Sequence, residues 1–227
     1  MGACCGDPIP SCNAVFDDRT AADDLAALRS KGPPWATREL LAQLAADLDL
    51  EGLSVLDIGA GVGAVHLGLL ELGAATAVDV DGSSAYVAAA RDEADRRELA
   101  ERVTHVLGDA TVVGDSLAAA DLVALDRVIC CYGDVHSLVA TATRLARRRV
   151  GLVYPRDRWW VRLGASVVNP LAFRRYAGYR MRIHRQAEVD RLLADAGFVR
   201  RRASTGRVWR VECWERASAS WGAVAAH

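Results

Sequence analysis

Apolar positions along the chain follow two different spacings. Over 17–30 and 35–48 they recur at helical spacing, which predicts two helices separated by Gly32, Pro33 and Pro34. After residue 52, short apolar runs alternate with amphipathic stretches. The runs predict strands over 53–58, 76–80, 102–107, 121–125, 150–154, 198–203 and 208–215. The amphipathic stretches predict helices over 63–72, 84–97, 134–146 and 186–196.

The order of these elements predicts the fold. Strands separated by helices form parallel sheets with right-handed crossovers, and the last two strands are close enough to form a hairpin near Gly206. We therefore expect an α/β, Rossmann-like fold with a mainly parallel seven-stranded sheet, an antiparallel C-terminal strand and helices on both faces. Residues 155–183 are too long for a simple connection, which predicts an insert.

Composition places the chain among globular proteins. Its 227 residues are 52% hydrophobic and 25% charged, and no apolar stretch reaches the roughly 20 residues that a bilayer span needs. The start of the chain lacks the basic and apolar run of a secretory signal. We therefore expect a cytoplasmic protein that does not engage a membrane.

The net charge of −1 conceals an uneven distribution. Residues 111–227 hold 20 of the 28 basic residues, and residues 1–110 hold 19 of the 29 acidic ones. The arginines of the second half are scattered among apolar residues, which favours solvated faces and a substrate mouth that attracts anions over a nucleic-acid surface. The oligomeric state stays open.

A buried strand, a glycine-rich turn and a helix follow one another in the sequence VLDIGAGVG at 55–63. Glycines let a ligand approach the backbone closely, because no side chain blocks it. Asp79 ends the second strand, where a carboxylate can accept hydrogen bonds from both hydroxyls of a ribose. Asp109 follows the third strand, where a carboxylate can meet an adenine amino group. All three places lie at the carboxyl edge of the sheet, where open α/β sheets bind ligands.

The same turn also satisfies the fingerprint of nicotinamide dinucleotide enzymes. Gly59, Gly61 and Ala64 stand at its three positions, and Asp79 has the expected offset. Three features disfavour this alternative: the aspartate before the turn, the glycine–aspartate pair after the third strand, and a C-terminal hairpin in place of a second dinucleotide half.

The segments VLDIGAGVG, AVDVD, GDA and DLVALDRV, in this order within residues 50–155, resemble the class I S-adenosylmethionine-dependent methyltransferases. The resemblance implies S-adenosylmethionine (SAM) as the cofactor. It implies that the turn lines the methionine part, that Asp57 braces the turn, and that Asp79 takes the ribose. Asp109 would bind the adenine, and Asp126 and Arg127 would lie beside the sulfonium. The full set of cofactor-binding residues implied in this way is Asp57, Gly59, Ala60, Gly61, Gly63, Asp79, Val80, Asp109, Ala110, Asp126 and Arg127.

The resemblance also implies a domain organisation. Residues 1–50 would form a lead-in and two helices packing over the cofactor site, 51–216 the methyltransferase domain with its insert, and 217–227 a frayed tail. The segment YPRDRWW, the insert after it and the helix exit at Gly197-Phe198 are similar to bacterial magnesium-protoporphyrin O-methyltransferases. This similarity implies a small-molecule acceptor, with a porphyrin carboxylate as one candidate.

Three residues are candidates for the chemistry itself. Methyl transfer from a sulfonium is an in-line displacement, so a general base is needed only when the acceptor arrives protonated. His184, before the helix 186–196, and His136, after the fourth strand, are candidate bases. Tyr132 is a candidate for orienting the acceptor. Capping or surface roles for the two histidines, and packing over the cofactor for Tyr132, stay open. His66 is expected to pack within its helix.

The insert carries aromatic and basic residues suited to an acceptor pocket that binds a carboxylate or phosphate. They are Trp159, Trp160, Tyr176, Tyr179, Arg156, Arg158, Arg174 and Arg175. Ordinary packing under the insert is an equally good interpretation of these side chains.

The six cysteines are expected to be thiols, because no export signal accompanies them. An alternative is that Cys4, Cys5 and Cys12 fold over the ligand mouth and join Cys130 and Cys131 in a cluster for zinc or arsenite. Adjacent cysteines lack the usual zinc spacing, so we predict no metal.

The sequence thus predicts a methyltransferase that moves the methyl group of SAM to an oxygen atom of a small-molecule acceptor. An anionic acceptor is one candidate. Carbon or nitrogen acceptors, a non-catalytic cofactor-binding protein and an NAD(P)-dependent oxidoreductase are the alternatives. A nucleic-acid methyltransferase is disfavoured, because LDRV at 125–128 replaces the Asn-Pro-Pro-Tyr or Asp-Pro-Pro-Tyr of base-amino enzymes. We expect Asp79→Ala to lose cofactor affinity with the fold intact, and Gly61→Val to block the site.

Overall fold

The computed structural model describes residues 15–175 and 181–217. The helices are α1 (Asp18–Lys31), α2 (Trp35–Ala45), α3 (Ala64–Glu71), α4 (Ser84–Arg96), α5 (Ala110–Val113), α6 (Val135–Leu145), α7 (Trp159–Arg175) and α8 (Gln186–Asp195). The strands are β1 (Ser54–Ile58), β2 (Thr76–Asp81), β3 (Val103–Leu107), β4 (Ala120–Asp126), β5 (Ala146–Pro155), β6 (Phe198–Thr205) and β7 (Trp209–Arg216).

The seven strands form one sheet in the order β3-β2-β1-β4-β5-β7-β6. Strands β1 to β5 pair in parallel, whereas β7 runs antiparallel to both of its neighbours. The predicted fold class is therefore confirmed. The order in which successive strands are added reverses between β1 and β4, because β2 and β3 lie to one side of β1 and the later strands to the other. Open α/β sheets bind ligands at such a switch point.

Alternate residues of the central strands enter two separate cores, as the two-residue period of a strand requires. On one face, Leu56 and Ile58 join side chains of α6 and α8. On the other face, Val55 and its neighbours on the sheet meet Leu40 of α2 and Leu67 of α3. Both faces of the sheet are thus covered by helices, and the carboxyl edge is left as the place for a site.

Side chains cap the helices that start at this edge. Asp17 accepts a hydrogen bond from the N–H of Thr20 at the start of α1, and Ser83 accepts one from the N–H of Tyr86 at the start of α4. Such caps satisfy N–H groups that have no partner inside the helix. They fix where each helix begins and how its first turn faces the sheet edge.

The two N-terminal helices are joined to the rest of the fold by polar contacts. Thr37 of α2 is fully buried and donates a hydrogen bond of 2.5 Å to Asp126 at the end of β4. The Tyr86 hydroxyl donates to Asp24 of α1 at 2.5 Å. These contacts hold α1 and α2 against the carboxyl edge. The division of the chain into domains stays a prediction.

The segment predicted as an insert contains α7, which carries an exposed apolar stripe. The side chains of Trp159, Leu163 and Val167 are 71%, 56% and 70% exposed. Within the part of the chain that the structure describes, no helix has the length and apolar character needed to span a membrane.

Candidate functional site

A cavity of about 740 Å³ lies at the carboxyl edge of β1, β2 and β4. Its polar and glycine lining comes from the strand ends and the loops after them, and its roof from α1, α2 and the turn between them. The predicted cofactor residues that line it are Gly59, Ala60, Gly61, Val80, Asp109, Ala110, Asp126 and Arg127. The cavity therefore collects most of the predicted set, and a ligand role for each member remains a prediction.

Two glycines of the turn adopt a left-handed backbone conformation, which glycine adopts more easily than other residues. Gly59 and Gly61 have φ values of 66° and 57°. A Cβ on Gly59 would lie 2.5 Å from Cγ2 of Val128, so the loop after β4 presses directly on this turn. A Cβ on Gly61 would meet only the ring edge of Tyr86, at 3.6 Å. Gly61 thus presents bare backbone to the cavity, which fits a ligand held close to the main chain.

Two of the predicted residues stand behind the turn, outside the cavity lining. Asp57 is fully buried and accepts hydrogen bonds from the backbone N–H of His66 at 3.2 Å and from its ring Nδ1 at 3.0 Å. Burial raises the pKa of Asp57, and the hydrogen bond from His66 offsets part of that rise. Gly63 is the N-cap of α3, with φ of 81°. The geometry of Asp57 fits the bracing role, and His66 packs as expected.

The structure places Asp79 away from the cavity, and its role at the ribose stays a prediction. Its side chain is fully buried, does not line the cavity, and accepts a hydrogen bond of 2.7 Å from Nδ1 of His105 on β3. The strand β2 continues for two more residues, so Asp79 lies inside the sheet layer and not at its edge. Its second oxygen, Oδ1, finds no hydrogen-bond partner among the residues that the structure describes.

Asp81, which the sequence reasoning missed, lies at the cavity. It ends β2 and lines the cavity. Its carboxylate accepts hydrogen bonds from the N–H of Gly61 at 2.9 Å and of Ser83 at 2.8 Å. Burial raises the pKa of Asp81 to about 6, although both backbone donors lower it. The signal was present in the sequence: Ser83 is a typical N-cap, and the strand has to end just before it.

The tip of β3 is occupied by a compact hydrogen-bonded group. Asp109 caps α5 by accepting from the N–H of Thr111 at 2.9 Å. Both oxygens of Asp109 accept from the Tyr132 hydroxyl at 2.7 Å. Tyr132 itself lines the cavity. A ligand at this end would therefore meet the aspartate and tyrosine as one unit.

The tip of β4 carries an ion pair. Arg127 has a positive φ of 63°, and its Nε donates to Oδ1 of Asp126 at 3.1 Å. Nearby Asp126 keeps the pKa of Arg127 above its ordinary value, although burial opposes this. The other oxygen of Asp126 accepts from Thr37. This tip therefore presents an oriented carboxylate and a cation to the cavity.

The two candidate bases lie away from this cavity. His184 lines a second, open cleft and shares a hydrogen bond of 3.0 Å between its Nε2 and the carbonyl of Ile129. Burial lowers the pKa of His184. His136 is largely exposed and contacts Glu188 at 2.9 Å. Among the described residues no histidine lines the cavity, and a catalytic role for His184 or His136 stays a prediction.

Met181 of the insert lines the cavity, whereas the aromatic and basic side chains of the insert that the structure describes do not. Trp159 and Trp160 are 71% and 45% exposed and lie outside the lining, as does Arg156, which stacks over Trp160. Arg158 is also outside it. Tyr176 and Tyr179 fall outside the described residues, as do the side chains of Arg174 and Arg175.

Basic side chains line the cavity, but they come from outside the insert. Lys31 at the end of α1 and Arg38 of α2 line it together with Arg127. Arg38 donates to the carbonyl of Pro33 at 2.7 Å, which ties it to the turn between the two helices. Sequence reasoning missed Lys31 and Arg38, because only the folded chain brings α1 and α2 over the sheet edge.

Two of the cysteines face the cavity. Cys130 and Cys131 line it, and their sulfurs are 3.7 Å apart. Cys4, Cys5 and Cys12 lie outside the described residues. Over 15–175 and 181–217, no group of three or more histidine, cysteine or acidic side chains is arranged to hold a metal ion.

Comparison with known proteins finds a family similarity over the middle of the chain. The family described as methyltransferase domain matches residues 56–153. The match covers 98 of the 227 residues, less than half of the chain, and shows that this segment is similar to that family. The match begins within β1 and ends within β5, so it includes the glycine turn and the tips of β2, β3 and β4.

Individual relatives add detail over shorter stretches. The ribosomal protein L11 methyltransferase of Pectobacterium atrosepticum (strain SCRI 1043) is 39% identical over 67 residues, which is 30% of this chain and 23% of that protein. The corresponding protein of Aeromonas hydrophila is 32% identical over 111 residues, or 46% and 38%. The chain thus spans well under half the length of these curated relatives.

Solved structures share the fold over most of the chain. Magnesium protoporphyrin IX methyltransferase from Synechocystis PCC 6803, determined with bound S-adenosylhomocysteine (SAH), has a TM-score of 0.65 at 22% identity, covering 88% of this chain and 100% of that one. An O-methyltransferase family protein from Burkholderia thailandensis has a TM-score of 0.71 at 16% identity, covering 93% and 64%. At these identities the likeness establishes the fold.

Proposed function

We propose that this protein transfers the methyl group of SAM to an anionic small molecule, at a carboxylate oxygen. The observation that carries the proposal is the cavity itself. It joins a bare glycine turn and acidic strand tips, which suit the adenosyl ligand, to a cationic roof that suits an acid. The alternative of an NAD(P)-dependent oxidoreductase has no support from the family match.

The strand tips support a specific placement of the adenosyl part. Asp81 is the carboxylate positioned to accept hydrogen bonds from the ribose hydroxyls, because it lines the cavity beside the turn. Asp109, Ala110 and Tyr132 form the end suited to an adenine. The backbone of Gly59 to Gly61 then faces the methionine part, and Asp126 with Arg127 lies at the tip of the next strand.

When bound, SAM supplies a methyl group on a sulfonium, which is already activated for displacement. The chain's own part is to align an acceptor atom with the methyl carbon and sulfur and to keep water out. The helices α1 and α2 do the second task, because their residues roof the cavity. Thr37 and Asp126 connect that roof to the sheet.

The charges of the roof support an anionic acceptor. Lys31 and Arg38 line the cavity from one side, and Arg127 from the sheet. Asp24 of α1 also lines the roof, and its carboxylate accepts a hydrogen bond from the Tyr86 hydroxyl. A carboxylate is ionised at neutral pH and attacks without losing a proton, so it needs no general base. This agrees with a cavity that no histidine of the described residues lines.

Two measurements test the proposal in sequence. Calorimetry with SAH tests the adenosyl site. Methyl-labelled SAM is then supplied with a panel of aromatic and aliphatic carboxylic acids, and with the corresponding amides as controls. A methyl ester releases its label as methanol in mild base, whereas ethers and methylamines keep it. We expect base-labile label with acids only. Base-stable label would overturn the carboxylate acceptor, and absence of SAH binding would overturn the whole site.

Removal of the roof cations tests how the acceptor is recognised. Lys31→Ala and Arg38→Ala should each raise KM for the acid by about 10-fold, since each removes one charge-assisted contact, and kcat should change little. Arg91→Ala, an exposed cation on α4 outside the cavity, is the matched control and should leave KM unchanged. Equal KM values in all three variants would contradict an anion site under this roof.

A further inference from the structure

Two adjacent cysteines occupy the loop that follows β4 and face the cavity. Cys130 is fully buried and Cys131 is partly buried. Their sulfurs are 3.7 Å apart and lie 3.1 Å and 3.7 Å from the same acceptor, the carbonyl of Arg127. The backbone is held as well, because the carbonyl of Cys130 accepts from the N–H of Arg182 at 2.7 Å. The two thiols are thus presented side by side on a fixed loop.

The short distance between adjacent Cα atoms limits which bonds the two sulfurs can form. Consecutive Cα atoms are about 3.8 Å apart across a trans peptide, whereas a disulfide usually spans about 4.4 to 6.8 Å between Cα atoms. A direct bond between Cys130 and Cys131 would therefore be strained. A single larger atom inserted between two sulfurs 3.7 Å apart relieves that constraint.

The chemistry of the site selects the bridging atom. The contact with Cys131 and burial both raise the pKa of Cys130. Zinc prefers four ligands that are largely thiolate or imidazole, and the described residues offer no third metal-ligating side chain here. A trivalent arsenic atom forms two bonds to neutral thiols by condensation. Its third bond goes to its own organic group, for which the apolar lining by Val128, Leu138 and Met181 provides space.

We propose that Cys130 and Cys131 form a binding site for a monosubstituted trivalent arsenical within the cavity. Two S–H bonds and two As–OH bonds break, two As–S bonds form, and two molecules of water leave. Arsenic remains trivalent, so no oxidant or reductant is required. The site does not depend on methyl transfer, and it can be tested on the protein without SAM.

Phenylarsine oxide is the probe, and the full chain carrying C4S, C5S and C12S is the test protein. That background is needed because Cys4 and Cys5 are a second adjacent pair. Intact-mass measurement should show one phenylarsine oxide gained and one water lost per chain. Excess 1,2-ethanedithiol should remove it, whereas the same concentration of thiol as 2-mercaptoethanol should not.

Single substitutions in this background locate the site. Cys130→Ser and Cys131→Ser should each weaken arsenical binding by about 100-fold or more, because chelation makes the second bond intramolecular. Cys213→Ala removes a thiol buried in the other core and should leave the binding unchanged. If Cys130→Ser does not fold by circular dichroism, Cys131→Ser, at the more exposed position, provides the test. Absence of an adduct in the background protein, or equal binding in all three variants, would overturn the site.

Discussion

Two aspartates on β2, two residues apart, differ in whether they lie inside the sheet or at the cavity. Asp79 and Asp81 point to the same face of β2, as residues i and i+2 of a strand do. Asp79 is fully buried and is hydrogen-bonded to His105. Asp81 lies at the strand's end, binds the glycine turn through Gly61 and lines the cavity. One carboxylate therefore belongs to the sheet and the other to the site.

The same division extends to the neighbouring strand. Asp57 pairs in register with Asp79, and like it is fully buried beside a histidine. The rings of His66 and His105 contact each other edge to face, with centroids 6.4 Å apart. These four side chains form an inner polar layer, defined as Asp57, His66, Asp79 and His105. The outer layer, defined as Asp81, Asp109 and Asp126, faces the cavity. We expect substitutions in the inner layer to change stability and those in the outer layer to change ligand affinity.

The largest effect should come from the inner layer. Asp79→Ala leaves His105 without its partner in the sheet, and loss of one member of a buried pair costs about 3 kcal/mol. In a chain of this size Tm should fall by about 9 °C. Thermal unfolding measures this, with Asp81→Ala as the matched control, expected to lower Tm much less. A wild-type Tm for Asp79→Ala, combined with lost SAH affinity, would reverse the assignment of the two residues.

The next effect concerns the outer layer. Asp81→Ala should weaken SAH binding by about 100-fold, because it removes the charged acceptor for the ribose hydroxyls. Calorimetry at pH 8 measures this on protein that remains folded by circular dichroism. Asp190→Ala, on α8 and outside the cavity, is a suitable control. Affinity within about two-fold of wild type for Asp81→Ala would rule out this residue as the ribose acceptor.

The pH dependence should be smaller and of definite sign. Burial raises the pKa of Asp81 to about 6, so about one-tenth of it is ionised at pH 5. SAH affinity should therefore rise about 10-fold from pH 5 to pH 8. The ligand-free protein behaves oppositely: the stability that this residue contributes is present below about pH 4 and is lost as pH rises through about 6. In Asp81→Asn this rise in affinity should disappear, and an unchanged rise would place the titrating group elsewhere.

The smallest effect tests the connection between the roof and the sheet. Thr37→Val removes the hydrogen bond to Asp126 while keeping side-chain volume, and should weaken SAH binding by about three-fold as that carboxylate reorients. Thr143→Val is the control, because the Thr143 hydroxyl bonds only within α6 and lies outside the cavity. Equal affinity in the two variants would mean that the roof does not orient the tip of β4.

Periodicity sufficed to predict the sheet and its closing antiparallel strand, because alternating apolar residues report directly which face of a strand is buried. It could not decide where β2 ends. Asp79 and Asp81 both follow apolar residues, and strand ends are the least certain part of such predictions. Ser83 resolves the choice only when it is recognised as the cap of α4.

Roles that depend on distant parts of the chain were not predictable from local patterns. His184 stands next to a helix start, as expected, but its ring contacts the carbonyl of Ile129 and lines another cleft. Lys31 and Arg38 carry no motif, and they reach the cavity because α1 and α2 dock on the carboxyl edge. The composition of the insert left a wall role and ordinary packing equally open for Trp159 and Trp160, and the structure exposes both side chains.

A crystal structure with SAH bound at pH 8 is the most direct test of the division between the two aspartate layers. We predict that both ribose hydroxyls lie within hydrogen-bonding distance of the Asp81 carboxylate, with the Asp79–His105 pair intact behind them. A ribose held by Asp79, or an SAH molecule bound outside the cavity beneath α1 and α2, would contradict this account.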